Sequence, residues 1–200
     1  MKKEFKKRKI GFINFILEMI IIIFYVPKFL AIYLSPDKFD PKLREGIMIA
    51  ISEVNDCKVC QYIHKGFGRS VGLTEEEIRL LGQAGEIPFT GRDAEAVFYA
   101  RAVAEDKHEV AEEILHKWKL SEPKKWRESV IAIVKIFNWI NRGGNCMDAF
   151  KSRLRGEISF WGNGFFLSDL IVGIISKIIV MPMLFLSWWK EYRKKKNILN

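Results

Sequence analysis

Hydrophobic and polar positions divide the chain into three parts. An apolar run extends from Ile10 to Leu34, interrupted only by Glu18 and Lys28, and Pro27 is expected to kink or end a helix within it. A second apolar run extends from Ile158 to Trp189 and carries Asp169 and Lys177. Its longest charge-free piece is Ile178 to Trp189, followed by Lys190 and a basic tail. The stretch between the runs shows helical spacing throughout, with no convincing alternation of period two and no internal repeat.

Within this middle part, local signals mark the predicted helices. Ser35-Pro36-Asp37 opens a loop, and Pro41 suits the first turn of a helix reaching about Val54. Asn55-Asp56 breaks that helix and offers an N-cap for the next, from about Cys57 to Val71, with Gly72 just beyond its end. Thr74-Glu-Glu-Glu77 reads as a capping box for a helix to about Gln83. After a loop at 88–91, Asp93 to about Asp106 is helical, with Ala94, Val97, Phe98, Arg101 and Ala102 spaced for one face. Glu109 to Trp118 follows. Ser121-Glu-Pro123 starts a helix expected to stop at Gly143-Gly144, and a shorter one should run from Met147 to Leu154. The expected architecture is all-α, divided into 1–34, 35–157 and 158–200.

Composition sharpens this picture. Two hundred residues, 49% apolar and 28% charged, exclude a disordered or low-complexity chain and allow one domain with appendages. The net charge of +9 is unevenly placed. Residues 1–33 hold 7 Lys/Arg against 2 acids, residues 34–157 hold 20 against 20, and residues 158–200 hold 6 against 2. A neutral middle with basic, strongly apolar ends points to a membrane surface rather than nucleic acid. Trp188-Trp189 beside the basic cluster of residues 193–196 has the composition of an interfacial anchor. No small-x-small cleavage site follows the first apolar run, so it is read as retained rather than as a signal peptide. Each run has the length of a membrane span, about 20 residues, yet each contains charges that cost about 2.5–3.5 kcal/mol at a bilayer centre. Two spans, two interfacial helices and burial in an oligomer are the competing arrangements, with membrane association expected and a cytoplasmic location as the alternative.

The chemistry concentrates in Cys57-Lys-Val-Cys60-Gln-Tyr-Ile-His64. On a helix, spacings of three and four place both cysteines and the histidine on one face. Unpaired amides at a helix start stabilise a thiolate, and a second thiol within reach permits reversible oxidation. The same residues could form part of a zinc site with His64 as third ligand, although no second Cys-x-x-Cys or His pair supplies the rest. Inert core cysteines beside a satisfied histidine are a further possibility. Three cysteines are too few for a disulfide scaffold, and Cys146, without a partner in sequence, reads as a small buried residue. His108 and His116 lie in a charged helical region and read as surface residues.

Pro41-Lys-Leu-Arg-Glu45-Gly-Ile-Met-Ile-Ala-Ile-Ser52, followed by Cys57-x-x-Cys60-x-x-x-His64 and Gly72-Leu-Thr-Glu-Glu-Glu, resembles the alkylhydroperoxidase D-like family of the carboxymuconolactone decarboxylase superfamily. The signature is a Glu twelve residues before Cys-x-x-Cys and a His four after it, as at Glu45, Cys57, Cys60 and His64. Ile136-Phe-Asn-Trp-Ile-Asn-Arg142 is similar to the Phe-Asn…Asn-Arg helix of the peroxidase-related branch. The resemblance covers about residues 35–156. It implies an all-helical bundle assembled as a trimer or hexamer. It also implies a proton relay from Glu45 through Cys57 and His64 to Cys60, with Cys60 attacking the peroxide and Cys57 as the resolving thiol met by the external reductant. Val59 stands where some members carry a His, a departure that implies weaker peroxidase activity or a different electron donor. The decarboxylase branch lacks the cysteine pair, so lactone decarboxylation is not expected.

The function expected is therefore a thiol-dependent peroxidase of peroxiredoxin type. It would take a hydroperoxide as substrate and electrons from a dithiol or thioredoxin-like partner, with neither metal nor organic cofactor. The alternatives are a membrane-bound thiol–disulfide oxidoreductase acting on proteins and a non-catalytic membrane-tethered scaffold. Titration of thiols after mild oxidation should show two of the three lost; retention of all three would contradict a redox-active pair.

Overall fold

In a computed structural model the chain is described over residues 4–83, 85–161, 165–179 and 181, and every regular element among them is helical. The expected anchor at Trp188-Trp189 and the basic tail lie outside the described residues. The order is α1 (Phe12–Ile23), α2 (Val26–Leu34), a 3-10 turn (Pro36–Lys38), α3 (Pro41–Val54), α4 (Lys58–Ser70), α5 (Glu75–Leu81), α6 (Gly91–Ala104), α7 (His108–Ser121) and α8 (Lys124–Leu154). A further helix, α9, covers 166–179.

Helix α3 is the central post. Asp40 caps its start by accepting from the amides of Lys42 at 2.9 Å and Leu43 at 3.4 Å, and Pro41 occupies the first turn. Every residue from Leu43 to Ser52 is buried, because α4, α5, α6 and α8 pack around it. A helix enclosed in this way needs apolar residues on every side, and Ile47-Met-Ile-Ala-Ile51 supplies them. At Gly46 the ring of Phe89 lies so close that an added Cβ would fall 2.6 Å from it. The expected capping box is formed: Thr74 accepts from the Glu77 amide at 3.1 Å, and Glu77 accepts from the Thr74 amide at 2.8 Å. Gly72, at φ 95°, ends the α4 turn in the left-handed region that favours glycine.

Two expectations need correction. Gly143-Gly144 does not stop a helix; the segments expected before and after it are one continuous α8 of 31 residues. Glycine inside a helix costs about 1 kcal/mol relative to alanine, but here neighbours fill the space a side chain would take. A Cβ on Gly143 would collide with Ser176 of α9 and lie 3.4 Å from Phe15 of α1, while one on Gly144 would lie 3.9 Å from the Cys57 sulfur. These glycines are points of close approach rather than punctuation. On α6 the expected inward face is also wrong in part: Phe98 is exposed, whereas Ala96, Tyr99 and Ala100 are buried. Because α3 and α7 both cover α6, its buried surface is wider than a single stripe.

The terminal helices rest on α8. The Phe15 ring stacks on Trp139 with centroids 4.5 Å apart, and the Trp139 indole N–H donates to the Phe15 carbonyl at 3.1 Å. Glu18 pairs with Arg142 at 3.1 Å, Lys28 pairs with Glu128, and Asp169 pairs with Arg153 at 2.7 Å and Lys9 at 2.9 Å. The break between α1 and α2 falls at Phe24-Tyr25 with a bend of 64°, and Pro27 sits in the first turn of α2. Among the described residues no single helix is long and apolar enough to cross a membrane; only the bent α1–α2 pair qualifies by length and composition.

At Gly173 an added Cβ would lie 2.8 Å from the Met147 backbone nitrogen, an atom that cannot rotate away. Gly173→Ala should therefore push α9 off α8 and lower stability by about 1–3 kcal/mol in urea denaturation. Gly11→Ala, where nothing lies within 4 Å, should leave the transition unaffected by packing.

Candidate active site

The connection from α3 to α4 is three residues long and sharply folded. Asn55 is the C-cap of α3, and Asp56 adopts φ 53°, a left-handed conformation that Asp tolerates better than most residues. Cys57 is the N-cap of α4 and has no side-chain cap bond. This corrects the expectation that Asn55-Asp56 caps α4. The Asn55 side chain instead donates to the Asn138 carboxamide oxygen on α8 at 2.8 Å, and Asn145 of α8 donates to the Asn55 carbonyl at 2.7 Å. Helix α8 thus grips the turn that presents Cys57 by both its side chain and its backbone. Ser52 at the end of α3 adds a third hold: its carbonyl accepts from the Cys57 amide at 3.0 Å and from the Gln61 side chain at 3.2 Å.

Cys57 and Cys60 are joined as a disulfide, with Cα atoms 5.3 Å apart. Cys57 is buried, at 4% exposed, and Cys60 is half-buried. A thiol arriving from solvent therefore meets Cys60 first. One turn further along α4, His64 is buried, its ring edge-on to Phe137 with centroids 4.6 Å apart. Its Nδ1 lies 2.8 Å from Oε2 of Glu45, so α3 and α4 meet through a hydrogen-bonded pair spanning 19 residues of sequence.

Glu45 has no exposed surface. Burial is the largest influence on its carboxyl group and by itself raises the pKa. The hydrogen bond and charge of His64, with those of Arg44, outweigh burial and hold it below the ordinary carboxylate value. Arg44 donates from Nε to Oε1 at 2.9 Å, and its guanidinium lies over the Tyr33 ring, 4.5 Å from the centroid. Because an ionised carboxylate only accepts, Nδ1 of His64 is the donor in this hydrogen bond.

The four residues singled out in sequence thus fall at one place, the junction of α3 and α4. Glu45 reaches His64 directly; its hydrogen bonds go to Arg44 and His64, not to Cys57. The segment at 136–142 packs against the site through Phe137 and Asn138, while Arg142 turns to Glu18 and Asn141 bonds back to its own helix. Sequence reasoning missed Arg44, Asn138 as a clamp, and Asn145. Arg44 was hidden beside Glu45, since neighbours one apart on a helix ordinarily face different ways. Asn145 lies 90 residues from its partner. Cys146 is free and buried as expected, and burial pushes its thiol up to about 11. His108 and His116 are exposed. Among the described residues no group of three or more His, Cys, Asp or Glu is placed to hold a metal ion.

The site thus combines a cysteine pair at one helix start with a buried carboxylate–imidazole pair in an all-helical bundle. Residues 28–106, a segment that holds all four site residues, match the model of the carboxymuconolactone decarboxylase family. The family includes alkylhydroperoxidase D-like proteins and contains enzymes of both decarboxylase and alkylhydroperoxidase type. No curated protein and no solved structure matches this chain.

The buried Glu45 pair has a pH signature. With a folded-state pKa below the ordinary value of 4.5, its contribution is complete above that value and is lost as pH falls through the folded pKa. Wild-type protein should therefore lose stability on acidification below about pH 4.5, and Glu45→Gln should flatten that part of the profile in denaturation at stepped pH.

Proposed function

We propose that this protein is a thiol-dependent peroxidase of alkylhydroperoxidase D type. The observation that carries the reading is the bonded Cys57–Cys60 pair at the start of α4, with His64 one turn further along α4 and paired there with Glu45 of α3. In the reduced protein the His64 imidazole, held by Glu45, takes the Cys60 thiol proton. The thiolate attacks the outer oxygen of a hydroperoxide, the O–O bond breaks, and the alkoxide leaves as an alcohol with a proton returned through His64. Cys60 is now a sulfenic acid. Cys57 attacks its sulfur, water leaves, and the disulfide closes. A dithiol then restores both thiols: one of its thiolates attacks the half-buried Cys60, Cys57 leaves as a thiolate at the α4 N-terminus, and the second thiol releases the mixed disulfide. Overall, hydroperoxide and dithiol become alcohol, water and the partner's disulfide. The resemblance puts the reductant at Cys57; the burial of Cys57 favours Cys60 instead.

A second reading has its own support. Val59, at 61% exposed, and Tyr62, at 83%, flank Cys60 with apolar surface suited to docking a protein. On this reading the same disulfide exchanges with cysteines of a protein partner, and peroxide is a poor substrate.

Stopped-flow mixing of the reduced protein with an alkyl hydroperoxide separates these readings. Peroxidase activity predicts loss of two thiols per peroxide consumed, abolished in Cys60→Ser, and at least about a hundredfold slower in His64→Ala, the lower range for a lost acid–base group. Consumption no faster in the wild type than in Cys60→Ser would overturn the peroxidase reading.

A further inference from the structure

We propose that α1, α2 and α9 form an in-plane docking face for an anionic phospholipid surface, and that α1 and α2 lie on the bilayer rather than cross it. Along α1 and its C-cap the exposed residues Ile13, Leu17, Ile20 and Phe24 follow spacings of four, three and four. On α9 the exposed residues Leu167, Ile171, Ile174 and Ile178 repeat the same spacings. Phe12, Ile21 and Ile23 of α1 and Ile179 of α9 are exposed as well, so each helix presents a broad apolar face around these residues. The opposite sides are buried, through Phe15 and Ile22 on α1 and Val172 and Ser176 on α9. Phe15 and Ser176 both meet α8 at Gly143, so the two helices lie on the same side of α8.

The charges inside these apolar segments explain why the face can meet lipid. Unpaired, Glu18, Lys28 and Asp169 would be costly beside hydrocarbon. Glu18 and Lys28 each pair with an oppositely charged residue of α8 while remaining about a third exposed, and Asp169 is held by Arg153 of α8 and by Lys9. The exposed stripes themselves carry no charge. Lys177 is exposed on the flank of the α9 stripe, where its long side chain reaches a headgroup.

Charge favours lipid over a second copy of the chain. The sequence carries its excess basic residues at its two ends, Lys2, Lys3 and Lys6 to Lys9 in one and Arg193 to Lys196 in the other, while residues 34–157 balance to zero; of these, Lys7, Arg8 and Lys9 already pair with Asp148, Asp106 and Asp169. Anionic headgroups attract an unpaired basic residue by about 1 kcal/mol, whereas two copies of a chain with net charge +9 repel one another. The 64° bend and the buried inner sides exclude α1–α2 as a straight span.

Flotation of the full-length protein with vesicles tests the proposal. Vesicles of phosphatidylcholine mixed with phosphatidylglycerol should carry the protein upward, and phosphatidylcholine alone should carry much less. Ile13 and Phe24 are 72% and 80% exposed, so charges there leave the interior packing alone. Ile13→Glu and Phe24→Glu should each lower partitioning by about tenfold or more, the effect of removing one large apolar side chain from a nonpolar environment. Circular dichroism of each variant should match the wild type; if either loses helix, Phe24→Ser replaces it in the same assay. Absence of flotation with the anionic vesicles would overturn the proposal, as would equal partitioning of the variants. A trimer or hexamer that forms without detergent and dissociates in Phe24→Glu would also overturn it, making the face a contact between copies.

Discussion

The structure is organised around a carboxylate that water cannot reach. A charged group in the interior is tolerated only when opposite charge and hydrogen bonds replace its hydration. Glu45 meets that condition with one oxygen on Arg44 and the other on His64. The arrangement requires α3 to be enclosed, since any opening would admit water and weaken the hold of each partner. Enclosure in turn requires helices on all sides. Helix α4 brings His64, the end of α2 brings Tyr33 under the Arg44 guanidinium, and α8 closes the far side with Phe137 against the imidazole.

Much of the middle domain was legible because its signals are local. Asp40-Pro41, the Thr74–Glu77 capping box and Gly72 each act within a few residues, and helix positions followed from them. The pairing of Cys57 with Cys60, and the position of His64 one turn beyond, also follow from spacing along one helix. Glu45 could be selected from 24 acids only by its resemblance to a known pattern, since nothing in its immediate sequence marks a buried carboxylate. What could not be read is what depends on distant partners. Gly143-Gly144 carries the local mark of a helix stop, and only the side chains of α1 and α9 packed against Gly143 show what the absent side chain makes room for. Asn55 likewise has the composition of a cap, yet its amide is taken by Asn138, 83 residues away.

The apolar ends show the same division. The cost of Glu18, Lys28 and Asp169 was visible in sequence, but the residues that neutralise them were not. Three of these partnerships link residues 100 or more positions apart. Once the pairs form, the apolar segments cease to be uniform and become two-sided.

The disulfide joins residues only three apart, at the first turn of a helix already fixed by its own backbone. Cross-links stabilise folded proteins mainly by removing freedom from the unfolded chain, and the gain grows with the length of loop closed. A loop this short removes little. The oxidised and reduced forms should therefore differ little in their resistance to unfolding, and the bundle does not depend on the bond to stay folded. On the redox function proposed above, cycling of the sulfur pair would then place little demand on the scaffold.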